Sequence, residues 1–319
     1  MGDAAPSKWF GCAVRRVVGE ASEAPEFGEE LRAAMEPHIS KARQKREEAN
    51  KGAGATDVFV PYKALRSEHP FCYDSSTYPL HSVLAEALGV RSLADVHHHP
   101  AQSKQELLSP LLDRERRQRF HELYDHFVTS FCIPMLHSLA VARDVLPKVS
   151  GATYRYQAFP CIRVVRPGEF SIGPHCDTAY GHSIGNLNFH IPLTPILGVN
   201  ALFVESSPGR EDWHPLTAEG TGSGFLFDGA RCIHFTLENA TDTTRVSLDF
   251  RIAFYQEGSS ELCTKEQLAD SFCTGACSCY YDEAAVSLAH APAGVVAKKA
   301  AKELLEPDWR VGLPFSKRA

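Results

Sequence analysis

The chain has 319 residues, of which 44% are hydrophobic and 23% are charged, a composition typical of a globular protein. The formal net charge of -6 excludes the broad basic surface that general nucleic-acid binding requires. The sequence contains neither an apolar run of transmembrane length nor a signal peptide's apolar stretch. We therefore expect a soluble, cytoplasmic protein that has no nucleic-acid or membrane partner.

Helical patterns dominate residues 1–150, which we expect to form a helical region packed on the rest of the chain. Residues 20–55 are rich in Glu, Lys, Arg and Ala and predict a charged, exposed helix that could pack on a partner. The clearest predicted helix of this region runs from about Asp113 to Val145, and Pro134 is expected to break or kink it. Its aromatic and aliphatic stripe has helical spacing. The stripe consists of Phe120, Leu123, Tyr124, Phe127 and Phe131.

Short alternating runs between Tyr154 and Tyr255 predict an antiparallel β-domain. Seven or eight strands in about 100 residues are typical of a sandwich or jelly roll. We assign residues 151–258 to this core and residues 259–319 to a C-terminal extension with a helix near Asp282–Leu304. The candidate strands are Ala158–Arg166, Ser171–Asp177, Asn186–Pro192, Asn200–Glu205, Gly224–Asp228, Arg231–Leu237 and Thr244–Tyr255.

Three of these strands have one polar and one apolar face, because successive side chains of a strand point to opposite sides. We expect the apolar faces to pack under the N-terminal helices and the polar faces to line a cavity. The polar faces are Asn186, Asn188 and His190; Cys232, His234 and Thr236; and Arg245, Ser247, Asp249 and Arg251.

A candidate metal site begins with His175 and Asp177, which are separated by one residue at a strand end and can bind the same ion. After 56 further residues, His234 supplies a third donor from another strand. Two imidazoles and one carboxylate on one face of an octahedron leave coordination positions open, as in non-haem Fe(II) oxygenases. Hydrolytic zinc also accepts these donors.

Arg245 and Ser247 favour iron over zinc. They form an Arg-x-Ser segment that begins eleven residues after His234, on the polar face of a strand. Such a pair is suited to holding a dicarboxylate co-substrate beside the metal, which a zinc site would not explain.

The combination of these residues resembles the Fe(II)/2-oxoglutarate-dependent dioxygenase superfamily, from about Gln157 to Phe254. Several longer runs resemble its StrG-type, phytanoyl-CoA dioxygenase-like branch, which is named for streptomycin biosynthesis. These runs start at Arg163 (RVVRPG), His175 (HCDTAYGH), Asn188 (NFHIPLT), Val204 (VESSPG) and Asn239 (NATDTTRVSLDFR). The resemblance implies a mainly β fold with flanking helices, whose core is a double-stranded β-helix (a cupin-like jelly roll).

The resemblance also implies roles for the matching residues. His175, Asp177 and His234 would bind Fe(II), and Arg245 with Ser247 would hold the distal carboxylate of 2-oxoglutarate. Arg251 competes with Arg245 for this role. Asn188 or Arg163 is expected to contact the other end of the co-substrate.

The implied reaction is oxidative decarboxylation of 2-oxoglutarate by O2 to succinate and CO2, coupled to hydroxylation of a C–H bond. Desaturation and cyclisation are alternatives. Halogenating relatives lack the carboxylate ligand, so the presence of Asp177 argues against halogenation.

Residues after the His-x-Asp motif are expected at the mouth of the cavity, where loops often carry specificity. These are Tyr180, His182 and Asn186, together with Trp213, an exposed-type tryptophan in the loop Glu205–Pro215. Arg251 also counts as a candidate substrate contact. A polar pocket that holds Arg163, Asp249 and Arg251 favours a small polar or zwitterionic substrate.

Three alternatives stay open at this stage: a protein or peptidyl hydroxylase, a zinc-dependent hydrolase or isomerase, and a non-catalytic cupin-like binding protein. The triplet His97–His99 is interpreted as a loop. The sequence does not assign Cys273, Cys277 and Cys279, the oligomeric state, or the substrate.

Overall fold

A computed structural model describes residues 29–51, 60–146, 151–256, 281–287 and 296–299. The cysteines Cys273, Cys277 and Cys279 lie outside these ranges. Among the described helices, none combines the length and the apolar character needed to cross a membrane.

Five α-helices lie in the N-terminal half of the described chain. They are α1 (Glu29–Lys51), α2 (Leu80–Leu88), α3 (Lys104–Leu108), α4 (Arg114–Phe127) and α5 (Ile133–Ala142). The predicted long helix from Asp113 to Val145 is thus divided in two. A π-helical turn, Val128–Cys132, joins α4 to α5, and Pro134 occupies the first turn of α5. Proline is tolerated there because the first N–H groups of a helix have no partner within it.

Eleven strands are described: β1 (His69–Cys72), β2 (Ala152–Gln157), β3 (Cys161–Val165), β4 (Leu187–Pro192), β5 (Leu202–Val204), β6 (His214–Leu216), β7 (Ser223–Phe227), β8 (His234–Thr236), β9 (Arg245–Tyr255), β10 (Tyr281–Ser287) and β11 (Val296–Lys299). They form an eight-stranded sheet in the order β1-β7-β4-β9-β2-β10-β11, in which β3 also pairs with β9. A three-stranded sheet has the order β6-β5-β8. All of these pairings are antiparallel, so the structure is mainly antiparallel β with flanking helices.

The main core lies between the eight-stranded sheet and helices α2, α4 and α5. Alternate residues of β9 and β4 form the sheet side of this core. The predicted apolar stripe, which lies on α4 and the π-helical turn after it, packs against them. Tyr124 packs edge to face on Phe250, with ring centroids 5.3 Å apart, and Phe250 stacks on Phe189. The predicted division of β4 and β9 into apolar and polar faces is therefore confirmed.

Helix α1 packs on the three-stranded sheet, so the expectation of an exposed helix was wrong for one of its faces. A second core cluster buries Leu31, Met35 and Ile39 of α1 against Ile233 and Phe235. The reason is local periodicity: apolar residues spaced three and four apart form a stripe even within a highly charged helix.

Several strands were not predicted. β1 lies in the expected helical region yet pairs with β7, and β10 and β11 extend the same sheet from beyond residue 258. The helix expected near Asp282–Leu304 was wrong where this range is described, since Tyr281–Ser287 and Val296–Lys299 are strands. Ser171–Asp177 is not a full strand either, and only His175 forms an isolated bridge to β8.

Candidate metal centre

His175, Asp177 and His234, which we call the triad, lie together on the cavity side of the two sheets. His175 and His234 face each other in an antiparallel bridge closed by two backbone hydrogen bonds of 3.2 and 2.8 Å. Asp177 begins a 3-10 turn, Asp177–Tyr180. Its Oδ1 is 3.7 Å from Nε2 of His175 and 3.8 Å from Nε2 of His234. The three donor atoms lie within 4.8 Å of one another, a spacing that one metal ion can bridge.

Backbone carbonyls fix the orientation of both imidazoles. Nδ1 of His175 is 2.9 Å from the Gly173 carbonyl, and Nδ1 of His234 is 3.0 Å from the Cys232 carbonyl. A carbonyl only accepts, so each Nδ1 must carry a proton and donate it. The lone pair of each neutral ring is then on Nε2, the atom that faces Asp177.

Burial keeps both imidazoles neutral. Burial, followed by the charge of His234, lowers the pKa of His175 to about 3, and burial also lowers the pKa of His234. Neutral rings are the form that binds a metal. The triad therefore presents its donors without having to release protons at neutral pH.

Two donors hold the second oxygen of the Asp177 carboxylate. Asn188 Nδ2 and Arg251 Nε each lie 2.7 Å from Oδ2. Asn188 and Arg251 are register partners on β4 and β9, so the sheet brings both donors to the same oxygen. Burial is the largest single influence on Asp177 and opposes its ionisation, but the charge and hydrogen bond of Arg251, together with His234 and His182, hold the pKa of this carboxyl well below its usual range. Oδ1 is left to face the two imidazoles.

This arrangement bears on two sequence-based predictions. Asn188 was expected to contact the co-substrate, and Arg251 was expected to contact the substrate or to compete with Arg245. In the structure Asn188 Nδ2 and Arg251 Nε both donate to Asp177, while Asn188 Oδ1 has no partner, so the contacts with co-substrate or substrate stay predictions. The alternation of side chains along β4 and β9 predicted that both residues face the cavity, but it could not show which group they contact there.

Arg245 and Ser247 lie buried on the cavity side of β9. Arg245 Nη1 donates to the Asn200 carbonyl at 3.1 Å, whereas Arg245 Nε and Ser247 Oγ have no hydrogen-bond partner in the described structure. Burial lowers the pKa of Arg245 to about 10, so the guanidinium is still charged at neutral pH. A buried cation with an unsatisfied donor favours binding of an anion, because leaving such groups unpaired costs free energy.

Arg163 is already paired within the protein. Its Nε donates to Asp249 Oδ2 at 2.9 Å, while the other oxygen of Asp249 lies 2.7 Å from Nδ1 of His190. His190 was on a predicted polar face but was not singled out as a site residue. The cavity is lined by the triad together with Arg163, Ser171, Ile172, Asn188, Phe189, Leu202, Phe227, Arg245, Asp249 and Arg251.

The residues expected at the mouth divide into two groups. Tyr180 is 52% exposed, and its ring meets that of His175 edge to face at 5.2 Å. His182 and Asn186 are buried in the turn that follows. The backbone N–H of His182 donates to the Asp177 carbonyl, and the Asn186 carbonyl accepts from Arg66.

Trp213 is not an exposed mouth residue, and that expectation was wrong. The residue is 4% exposed and belongs to the core beneath α1. Its ring packs on Phe235, the β8 residue whose side chain points away from the cavity that His234 lines. The predicted loop Glu205–Pro215 is a loop only up to Trp213, because β6 begins at His214, and the large apolar side chain of Trp213 anchors this loop to the core.

A buried ion-pair cluster that sequence reasoning missed supports the loops around the triad. Arg66 Nη1 donates to Asp228 Oδ1 and to the Asn186 carbonyl, each at 2.9 Å, and Arg231 Nε binds the other oxygen of Asp228 at 2.7 Å. The neighbouring Gly229 carbonyl accepts the backbone N–H of Asp177 at 2.9 Å. No local pattern links Arg66 to residues 162 positions away, so only the tertiary structure identifies this cluster.

Comparison with known proteins gives one partial relative. No family model matches the chain. A segment of 96 residues is 33% identical to the streptomycin biosynthesis protein StrG of Streptomyces griseus and covers 30% of the chain. The segment spans 44% of StrG, less than half of that relative's length. The chain is therefore a partial homologue of StrG.

Among solved structures, similarity extends to a nickel complex of the non-haem monooxygenase ThoJ, with a TM-score of 0.39 and 13% identity over 59% of this chain and 75% of ThoJ. A second similar structure is the epimerase SnoN in complex with Fe3+, alpha-ketoglutarate and nogalamycin RO. It has a TM-score of 0.35 and 13% identity, with coverage of 68% of this chain and 84% of SnoN.

Proposed function

We propose that this protein is a non-haem Fe(II)- and 2-oxoglutarate-dependent oxygenase, with His175, Asp177 and His234 as the iron ligands. One observation carries the proposal: the triad lines the same cavity as Arg245, whose buried Nε has no hydrogen-bond partner in the described structure. Three protein donors suit a metal that must keep coordination positions open. Arg245 explains what else the cavity binds, namely an anion.

The donor set fits the dicarboxylate co-substrate. Arg245 Nε and Ser247 Oγ are buried groups without partners in the described structure, and both are suited to a carboxylate. Arg163 is engaged with Asp249, and Asn188 is engaged with Asp177. We therefore assign the distal carboxylate of 2-oxoglutarate to Arg245 and Ser247 rather than to Arg163, Asn188 or Arg251.

Fe(II) with 2-oxoglutarate and O2 supplies oxidative decarboxylation to succinate and CO2, coupled to hydroxylation of a C–H bond, with desaturation or cyclisation as alternatives. The protein provides position and charge. Asn188 and Arg251 hold Asp177 Oδ2, so Oδ1 would be the oxygen left to bind the metal. The backbone carbonyls that accept from Nδ1 of both imidazoles leave the lone pair on each Nε2, where it can bind the metal.

The two sheets support a double-stranded β-helix as the finer description of the fold. Polar faces of β4 and β9 from the larger sheet and of β8 from the smaller one contribute to a single cavity. This is the arrangement expected when two antiparallel sheets enclose a site between them.

A small polar metabolite is the proposed substrate. Most of the residues that line the cavity are polar or charged, and a streptomycin biosynthesis protein is a partial homologue. We also propose a cytoplasmic protein without nucleic-acid or membrane partners. A peptidyl hydroxylase, a zinc-dependent enzyme and a cupin-like binding protein are the competing functions.

Anaerobic titration of the protein with Fe(II) and 2-oxoglutarate tests the proposal. We expect a weak visible charge-transfer absorption and, in air, slow succinate formation without added substrate. Arg245→Met should retain Fe(II) but lose the absorption, whereas the exposed Arg210→Met is the matched control. A wild-type protein that gives neither the absorption nor succinate would leave the zinc enzyme or the binding protein as the better explanation.

A further inference from the structure

Tyr180 is an exposed aromatic residue that adjoins the triad. It closes the same 3-10 turn that Asp177 begins. The ring lies edge to face on His175 with an interplanar angle of 75°, yet half of the residue is exposed. The turn therefore provides a flat surface directly next to a candidate metal ligand.

Lys45 of α1 stands over this ring. Its Nζ lies 5.4 Å from the Tyr180 ring centroid, within the range of a cation–π contact. The neighbouring arginines of α1 are used differently, since Arg43 pairs with Glu211 at 2.7 Å and Arg46 pairs with Glu205 at 2.6 Å. Within the described chain, no carboxylate forms an ion pair with Lys45. Its ammonium group thus has charge available for a ligand.

The position of Lys45 is fixed by buried contacts of its helix. The Glu205 side chain is fully buried, and its Oε1 accepts from both Arg46 Nη1 and the backbone N–H of Ile233. Ile233 directly precedes His234 on the chain. This ion pair joins α1 to the strand that supplies a triad member, so Lys45 is held next to the site by more than surface contacts.

The charge of the cavity favours an anion. Three guanidinium groups (Arg163, Arg245 and Arg251) and two carboxylates (Asp177 and Asp249) line it, which leaves one positive charge. A divalent iron and the 2-oxoglutarate dianion would cancel each other. The loaded site therefore stays positive, and Lys45 adds a further positive charge over the Tyr180 ring, which contacts His175. Positive clefts of this kind attract and orient anionic ligands.

We propose that Lys45 and Tyr180 form a recognition site for a substrate that carries a phosphate or carboxylate group. The anion pairs with Lys45, the adjoining carbon skeleton covers the Tyr180 ring, and the reacting carbon lies beyond, near the triad. This assignment rests on the proposed function, because it takes the metal and 2-oxoglutarate to be bound in the cavity.

Paramagnetic relaxation of a simple probe tests the proposal without knowledge of the substrate. Protein loaded with Mn(II) and 2-oxoglutarate is titrated with phenyl phosphate, and the 31P relaxation rate is measured. We expect a saturable enhancement in the wild type. Lys45→Glu should raise the apparent Kd about tenfold, since it replaces an attractive charge by a repulsive one. Tyr180→Ala should weaken the binding of phenyl phosphate more than the binding of inorganic phosphate, because only the ester carries a ring.

Lys41→Glu is the matched control, because Lys41 is an exposed lysine of the same helix and its exchange changes the net charge equally. Equal effects of Lys41→Glu and Lys45→Glu would overturn the proposal, as would a wild-type enhancement that does not saturate. Benzoate, followed by 1H relaxation, distinguishes a carboxylate preference from a phosphate preference. If the wild type binds neither Mn(II) nor 2-oxoglutarate, the proposed function itself is contradicted. If it binds both but not phenyl phosphate, only the recognition site is contradicted.

Discussion

Arg251 donates a hydrogen bond from Nε to Oδ2 of Asp177 at 2.7 Å. The guanidinium therefore meets the carboxylate on the side away from the two imidazoles. Partners of this kind orient a metal ligand, and their loss commonly weakens metal binding by about 10–100-fold. Arg251 is also the largest of several contributions that lower the pKa of Asp177 although the carboxyl is buried.

Substitution of Arg251 should therefore affect the metal before it affects 2-oxoglutarate. We expect Arg251→Met to raise the Kd for Fe(II) by about 10–100-fold, measured by anaerobic calorimetry. The Kd of Arg251→Lys for Fe(II) should lie between those of Arg251→Met and the wild type, since lysine keeps the charge but not the planar guanidinium. A variant with normal Fe(II) affinity and lost 2-oxoglutarate binding would instead make Arg251 the holder of the dicarboxylate.

Removal of the Asp177 carboxylate should create a site for a small anion. In Asp177→Ala, the donors Arg251 Nε and Asn188 Nδ2 lose their shared acceptor within a buried pocket. We expect Fe(II) affinity to fall by at least about 100-fold and millimolar formate to restore part of it. His234→Ala is the control, because formate cannot replace an imidazole there. Equal rescue of both variants would contradict the prediction.

Gly229 is expected to be intolerant of a side chain for a reason that involves the metal site. A Cβ at this position would lie 2.6 Å from the side-chain amide of Asn188, which holds Asp177. Gly229→Ala should displace this amide and weaken Fe(II) binding by about tenfold. Gly220→Ala meets no atom within 4 Å and is the matched control. Unchanged metal binding in Gly229→Ala would show that Asn188 is dispensable.

His214 should make a pH-dependent contribution to stability. Its Nε2 lies 2.7 Å from Glu68 Oε2, and this hydrogen bond is the main reason why the pKa of His214 is raised above 6.5. The contribution is fully present below pH 6.5 and is lost as the pH rises through the raised value of the folded state. Because the pair is partly exposed, we expect a small effect, below about 1 kcal/mol. His214→Gln should thus lower Tm more at pH 5.5 than at pH 8.5, and an equal shift at both would contradict the ion pair.

Trp213 should behave as a core residue. Its ring packs on Phe235 beneath α1, and Arg32 lies over it at 5.2 Å. We expect Trp213→Ala to reduce the free energy of unfolding by about 3–5 kcal/mol in chemical denaturation. Trp213→Phe should recover much of this loss and should bind Fe(II) and 2-oxoglutarate like the wild type. Loss of substrate binding in a stable Trp213→Phe protein would restore Trp213 as a substrate contact.

The sequence predicted the features that depend on strand periodicity. The alternation in β9 placed Arg245 and Arg251 on the cavity side and Phe250 in the core, because side-chain direction follows directly from residue parity. The cluster of Arg66 with Asp228 was not predictable in this way. It depends on how distant loops meet, and no local pattern of residues carries that information.

Competition between composition and context explains the errors at α1 and Trp213. The charged residues of α1 suggested exposure, whereas a narrow apolar stripe decides its packing. Around Trp213, turn-forming residues predicted a surface loop. The backbone of Trp213 does lie in a loop, but its side chain is buried in the core. The strands β10 and β11 are stabilised by pairing with an existing sheet edge rather than by their own pattern.

The alternation along β9 restricts how this chain can change in length during evolution. Insertion or deletion of a single residue within Arg245–Tyr255 would rotate every later side chain to the opposite face. Arg251 would then point into the aromatic core, and Phe250 or its neighbour would enter the cavity. Relatives that keep this chemistry should therefore accept length variation before Arg245 or after Tyr255, while the strand itself keeps its residue count.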